Sequence, residues 1–211
     1  MSIILGFFAG VGLPVQTCIN TRLRKKVGSP YNASLVSFVV ALLFLVVLLL
    51  ITKQSLHIPF SELKDEPAWI WIGGICGLIF LTGNILLFAK LGGVQTVVLP
   101  VLGQILMGLI IDNFGLFHSQ KISLSLFRIA GAVFVICGVV MISLAKENKS
   151  KQNTSSGRTN GIELWLWRFL GILTGMLSAI QTATNGYLGK VIGSPIKASV
   201  ISFSIGIICL I

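Results

Sequence analysis

Six stretches of this chain, at about 3–21, 31–52, 68–89, 94–113, 126–145 and 168–187, are apolar over roughly 18 residues or more, and a seventh, 197–211, is shorter. A run of about 18 residues crosses a bilayer core near 30 Å thick when helical. Backbone amides in lipid have no water to bond, so such runs close their hydrogen bonds internally as helices. Barrel strands are short and alternate apolar with polar residues, a pattern absent here. Only 10% of the residues are charged. That is too few for the polar shell of a water-soluble domain, which is about a quarter charged. The expected fold is an all-α polytopic membrane protein.

The net charge is +10, from 16 Lys and Arg against 6 Asp and Glu. These basic residues sit between the apolar blocks, so they read as topology signals and contacts with anionic lipid rather than a nucleic-acid surface. Cys18, Cys76, Cys137 and Cys209 each lie inside an apolar run with no C-x-x-C spacing and no nearby His, so neither a disulfide framework nor a metal site is expected. The first apolar run is followed, not preceded, by Arg22, Arg24, Lys25 and Lys26, which fits a retained helix better than a signal peptide. All four tryptophans, Trp69, Trp71, Trp165 and Trp167, stand at expected helix ends, where indoles favour the headgroup layer.

Residues 6–46 and 171–211 align without a gap at a constant offset of 165, with 15 of 41 positions identical. The identities include Gly6 with Gly171, Gly10 with Gly175, Gln16 with Gln181, Asn20 with Asn185, and Gly28-Ser29-Pro30 with Gly193-Ser194-Pro195. Shared greasiness does not match Gln, Asn and Pro, so this is an internal duplication. Five spans separate the two starts. An odd number inverts the second copy, an architecture common in secondary transporters. The expected organisation is a five-helix unit over 1–145, a polar linker over 146–167, and an inverted second unit over 168–211 that is incomplete. With the N-terminus outside, the inside loops (22–30, around 90, 146–168) hold ten basic residues and the outside loops six.

Pro14, Gln16 and Asn20 in the first span, the GSPYNASLVSF segment, and Gly103-Gln104 leading to the DNFGLF run from Asp112 resemble the YdcZ-type family of the drug/metabolite transporter superfamily, built from EamA-like five-helix units. The first unit is covered over essentially all of 3–145. The resemblance implies transport. Family members occur as single units, as oppositely oriented pairs, or as fused ten-helix chains. A fragment of such a fused chain is the expectation here, with a homodimer or a partner half-transporter as the other way to complete the second unit.

Gln16 and Asn20 share one helix face, and Gln181 and Asn185 repeat it. An amide in lipid is costly unless bonded, so this face should point into the bundle, either lining a substrate path or gluing helices at about 1 kcal/mol per contact. Asn84 and Gln104 lie mid-span and are candidates for the same lining. Asp112 is the one acid close to a span, readable as an ion or proton site or as a helix-end cap, with the cap favoured. Pro100 should kink its helix near the membrane middle. Gly6, Gly10, Gly171 and Gly175 form G-x-x-x-G pairs suited to close helix packing. His57 and His118 read as solvated loop residues. No nucleophile-base set, metal cluster or cofactor motif is present, so an enzyme is not expected. The leading expectation is a multi-pass transporter of small organic molecules in the inner (plasma) membrane, exporting by alternating access. The alternative is a non-transporting assembly or regulatory subunit.

Overall fold

The computed structural model describes the backbone of residues 2–55, 57–58, 60–153 and 161–211, and side chains for these except 2–6, 9, 60, 62, 144–153 and 161. Among the described residues six α-helices follow in order: α1 (Ser2–Val27), α2 (Pro30–Ile51), α3 (Ile72–Phe114), α4 (Leu126–Asn153), α5 (Gly161–Val191) and α6 (Pro195–Ile208). Among the described residues no strand is present. The protein is an all-α polytopic membrane protein. Among the described residues four stretches are long and apolar enough to cross a membrane, Pro30–Ile51, Ala68–Phe114, Leu126–Ser143 and Ile162–Val191; the span expected at 3–21 is not one of them, and α6 is shorter at 14 residues. Phe44, Phe127 and Phe134 stand 65%, 90% and 78% exposed, an outward apolar surface that suits lipid and not water.

The length of α3 conceals two spans. A straight helix of its 43 residues would measure about 65 Å. Yet Trp69, just before it, and Phe117, just after it, meet with ring centroids 5.3 Å apart. The chain reverses at Gly92, the one residue of α3 outside helical φ/ψ (φ 73°, ψ 173°), a conformation open to glycine because it has no Cβ. Spans expected at 68–89 and 94–113 are therefore the two arms of a hairpin joined by one glycine. The break falls at Gly92, and Pro100 stays within helical φ/ψ.

Helix α5 lies along both arms. Gly73, Gly77 and Gly83 of the first arm face Asn185, Gln181 and Thr174 in descending order, so the first arm runs antiparallel to α5. In the second arm Leu99 faces Gly171 and Gln104 bonds Ser178, so this arm runs parallel to it. Glycines set the spacing: a methyl group added at Gly103 would collide with the Ile172 carbonyl, and one at Gly175 with the Pro100 carbonyl. Gly171 and Gly175 thus stand at a helix contact. Around Gly10 there is open space within 4 Å, and the side chain position of Gly6 lies outside the described residues.

The duplicated segments adopt the same local structure. Gly28 and Gly193 both take positive φ (75° and 70°), ending α1 and α5. Ser29 and Ser194 then cap α2 and α6, each followed by proline at the first helical position. The Ser37 hydroxyl donates to Asn20 Oδ1 at 2.7 Å, and Ser202 donates to Asn185 in the same way. Arg24, near the end of α1, donates to the Ile85 carbonyl towards the hairpin tip, whereas Tyr187, near the end of α5, packs tilted against Trp69 at the open end. Phe38 and Phe203, equivalent under the 165-residue offset, meet edge-on at 4.9 Å where α2 passes α6.

The stretch expected as a polar linker is helical up to Asn153, and α5 is helical from Gly161, while 154–160 lie outside the described residues. The segment KENKSKQN is rich in helix formers, so the helix continues past the apolar run. Two outcomes test this fold. Gly175→Leu should lower stability by about 1–3 kcal/mol, read as a lower denaturant midpoint in detergent, because the Pro100 carbonyl cannot yield. With the four native cysteines replaced, Lys25→Cys and Lys190→Cys should react with an impermeant maleimide from opposite faces of the membrane. Labelling from one face would sink the inverted arrangement.

Candidate functional site

Between α1, the second arm of α3 and α5 lies an open-sided cavity of about 610 Å³, with Leu13 and Thr182 exposed at its edge. Two of the residues singled out from sequence meet there, Gln104 and Asp112, eight residues and so about 12 Å apart along one helix. Across from them α5 contributes Ser178 and Thr182, one turn apart on one face, and α1 contributes Leu13. Gln104 Nε2 donates to Ser178 Oγ at 3.1 Å, and the Thr182 hydroxyl donates to the Ser178 carbonyl at 2.9 Å. Ser119 closes the wall beyond the end of α3.

Asp112 carries an ion pair. Its Oδ2 accepts from Arg128 NH2 at 2.7 Å, with both side chains about one-third exposed. Arg128 NH1 also donates to the Ile122 carbonyl at 3.3 Å, and Ile122 N–H donates to the Asp112 carbonyl at 2.8 Å. The segment between α3 and α4 is thereby folded back over the cavity wall. The sequence signal for Arg128 was a basic residue two positions into an apolar span, which has to find a partner.

The other candidates lie elsewhere. Gln16 is exposed on α1. Asn20 is 4% exposed and bonded to Ser37, with its Nδ2 unpartnered. Gln181 abuts Gly77 and Asn185 abuts Gly73, where both fill the close contact with α3. Asn84 is 6% exposed with its Oδ1 unpartnered. None of these five lines the cavity. Gln95, passed over in the sequence, is 1% exposed and neither of its amide atoms is bonded.

The two ends of α3 are fastened to α5 by different chemistry. At the tip, Lys90 Nζ pairs with Glu163 Oε1 at 3.1 Å and sits 5.6 Å from the Trp167 ring centre, while the Trp167 indole donates to the same carboxylate. At the open end His118, Trp69 and Tyr187 form a three-ring cluster, with His118 nearly parallel to Trp69 (5.6 Å) and to Tyr187 (4.6 Å) and those two tilted against each other at 5.2 Å, and the Tyr187 hydroxyl donates to Glu66 at 2.8 Å. His118 is therefore exposed but held in a ring stack, not simply solvated. Phe117 and His118 both occupy left-handed backbone (φ 56° and 55°), which bulky residues adopt only when their surroundings hold them there. Among the described residues no group of three metal-ligating side chains comes together.

These helices, with their paired glycine contacts and polar wall, define a helical membrane protein with a solute-sized cavity. The chain matches the DMT_YdcZ family, described as "Putative inner membrane exporter, YdcZ", over residues 1–141 and 166–211, and it belongs to that family. The two matched stretches take in the two copies of the duplicated segment. The chain is also similar to the inner membrane protein YdcZ of Escherichia coli (strain K12), with 29% identity over 148 residues, covering 67% of this chain and 95% of that protein. No solved structure matches. Its environment is therefore a lipid bilayer.

The ion pair generates a prediction. Arg128→Gln should speed hydrogen exchange at the Ile122 and Leu124 amides about fivefold, roughly 1 kcal/mol of local stability. Unchanged exchange would mean that the pair does not hold this segment.

Proposed function

We propose that the chain is a transport unit for small organic solutes in the inner (plasma) membrane, working as an exporter by alternating access. The observation that carries this reading is the cavity shared by α1, the second arm of α3 and α5, whose wall places the amide of Gln104, the hydroxyls of Ser178 and Thr182 and the carboxylate of Asp112 within an otherwise apolar bundle. Polar groups are costly in lipid even when bonded, so a wall that gathers several of them between helices supports a path for a solute or ordered water. The exporter description attached to the family supports the same direction. In this reading the antiparallel copies α1–α2 and α5–α6 belong to two inverted units that tilt about the Phe38–Phe203 contact. Asn20 and Asn185 brace each copy, and Gln16, Asn84 and Gln181 enter the path in another state of the cycle. The α3 tip and the α1–α2 turn belong to the end richer in basic residues, which puts that end in the cytoplasm and the N-terminus outside.

A non-transporting assembly subunit is the second reading, favoured by the exposed face of α1, where Phe7, Phe8, Val11 and Val15 are 68%, 68%, 52% and 53% exposed beside Gln16. Reconstitution decides between them. Liposomes containing the chain and loaded with a panel of metabolites should show flux above empty vesicles. Gln104→Leu should cut that flux about tenfold at unchanged insertion and abundance. Absence of flux favours the assembly reading, and full flux from Gln104→Leu removes the cavity from the path.

A further inference from the structure

The cavity wall carries its own statement about what fits inside it. Asp112 is the one charged side chain in the wall, and it is already neutralised by Arg128 at 2.7 Å. An entering ammonium would have to displace that guanidinium, and an entering carboxylate would meet Asp112 with no free cation. Either ion would give up its hydration without a counter-charge, a loss that an apolar setting makes large. No aromatic ring is part of the wall among the described residues, so no cation–π site compensates.

What the wall does offer is hydrogen-bonding capacity with acceptors in excess. Gln104 spends an amide N–H on Ser178 and keeps Oε1 free. Thr182 spends its hydroxyl proton on the Ser178 carbonyl and keeps its lone pairs. Asp112 keeps Oδ1, since Arg128 takes Oδ2. The Ser178 hydroxyl accepts from Gln104 and keeps its proton to donate. These atoms are spread over the roughly 12 Å between Gln104 and Asp112, with Leu13 and Ala183 between the polar groups. We propose that this cavity takes a neutral, extended, hydroxyl-bearing aliphatic solute of the polyol class, its hydroxyls donating to Gln104, Thr182 and Asp112. The proposal rests on the transport reading for its biological use, but binding can be measured without flux.

Equilibrium dialysis of the full chain in detergent against a radiolabelled linear hexitol tests it. The expected result is saturable binding that a linear diamine, tetramethylammonium and a short monocarboxylate do not compete away. Gln104→Leu and Thr182→Val, both keeping side-chain bulk, should each weaken hexitol binding about tenfold. Arg128→Gln, which leaves Asp112 unpaired, should make the diamine an effective competitor. No saturable hexitol binding, tighter binding of diamine or carboxylate by the unaltered chain, or unchanged binding in both Gln104→Leu and Thr182→Val would each overturn the proposal. Saturable hexitol binding without hexitol flux in liposomes would leave the binding site standing and remove the transport reading alone.

Discussion

Everything in this bundle depends on how closely α5 can approach the α3 hairpin. Helices in lipid gain little from hiding apolar surface from one another, because lipid is as apolar as leucine. Association has to come from dispersion at short range and from hydrogen bonds between spans. Here Gly103 and Gly175 let backbone carbonyls of neighbouring helices come within contact, and Gly73 and Gly77 leave room for the amides of Asn185 and Gln181. The Gln104–Ser178 bond exists because those glycines bring its two helices together. The cavity adjoins the same contact: beyond Gly103, residues Gln104, Gly108 and Asp112 of α3 face Ser178, Ala179, Thr182 and Ala183 of α5 across the gap.

The duplication explains how one short motif can serve both directions. A Gly-Ser-Pro turn ends one helix with positive φ and starts the next with a serine cap, independent of which way it faces in the membrane. The Asn–Ser bridge ties the two helices of each copy at the same register. The copies meet through equivalent phenylalanines, Phe38 and Phe203. The same local chemistry thus braces two helix pairs around a single hairpin, and the hairpin itself belongs to neither copy.

Much of this was legible in the residues. Apolar run lengths located the spans Pro30–Ile51, Ala68–Phe114, Leu126–Ser143 and Ile162–Val191, because a bilayer has one thickness and backbone amides in lipid have one solution. The matching Gln, Asn and Pro positions revealed the duplication. What escaped notice depended on distance rather than on pattern. The reversal between 68–89 and 94–113 was expected from the two runs, but that a single glycine, Gly92, makes it is a matter of φ that no periodicity encodes. Arg128 lay 16 residues from Asp112 and seemed part of another span. Gln104 and Asp112 share one helix and could be paired by counting, but Ser178 joins them only through the fold. Gln16 and Asn20 share a face by spacing, yet the neighbours of α1 cover one and leave the other exposed.

The unlike fastenings at the two ends of α3 have a consequence for how the solvent on each face acts on the molecule. The Lys90–Glu163 pair is half-exposed, so dissolved ions weaken it over a Debye length of about 8 Å at physiological strength. The ring stack of Trp69, His118 and Tyr187 owes little to net charge and is nearly blind to salt. A change in ionic strength on one side of the bilayer therefore loosens that clasp while the same change on the other side leaves its counterpart shut, and the protein acquires a sidedness that its two matching segments do not themselves contain.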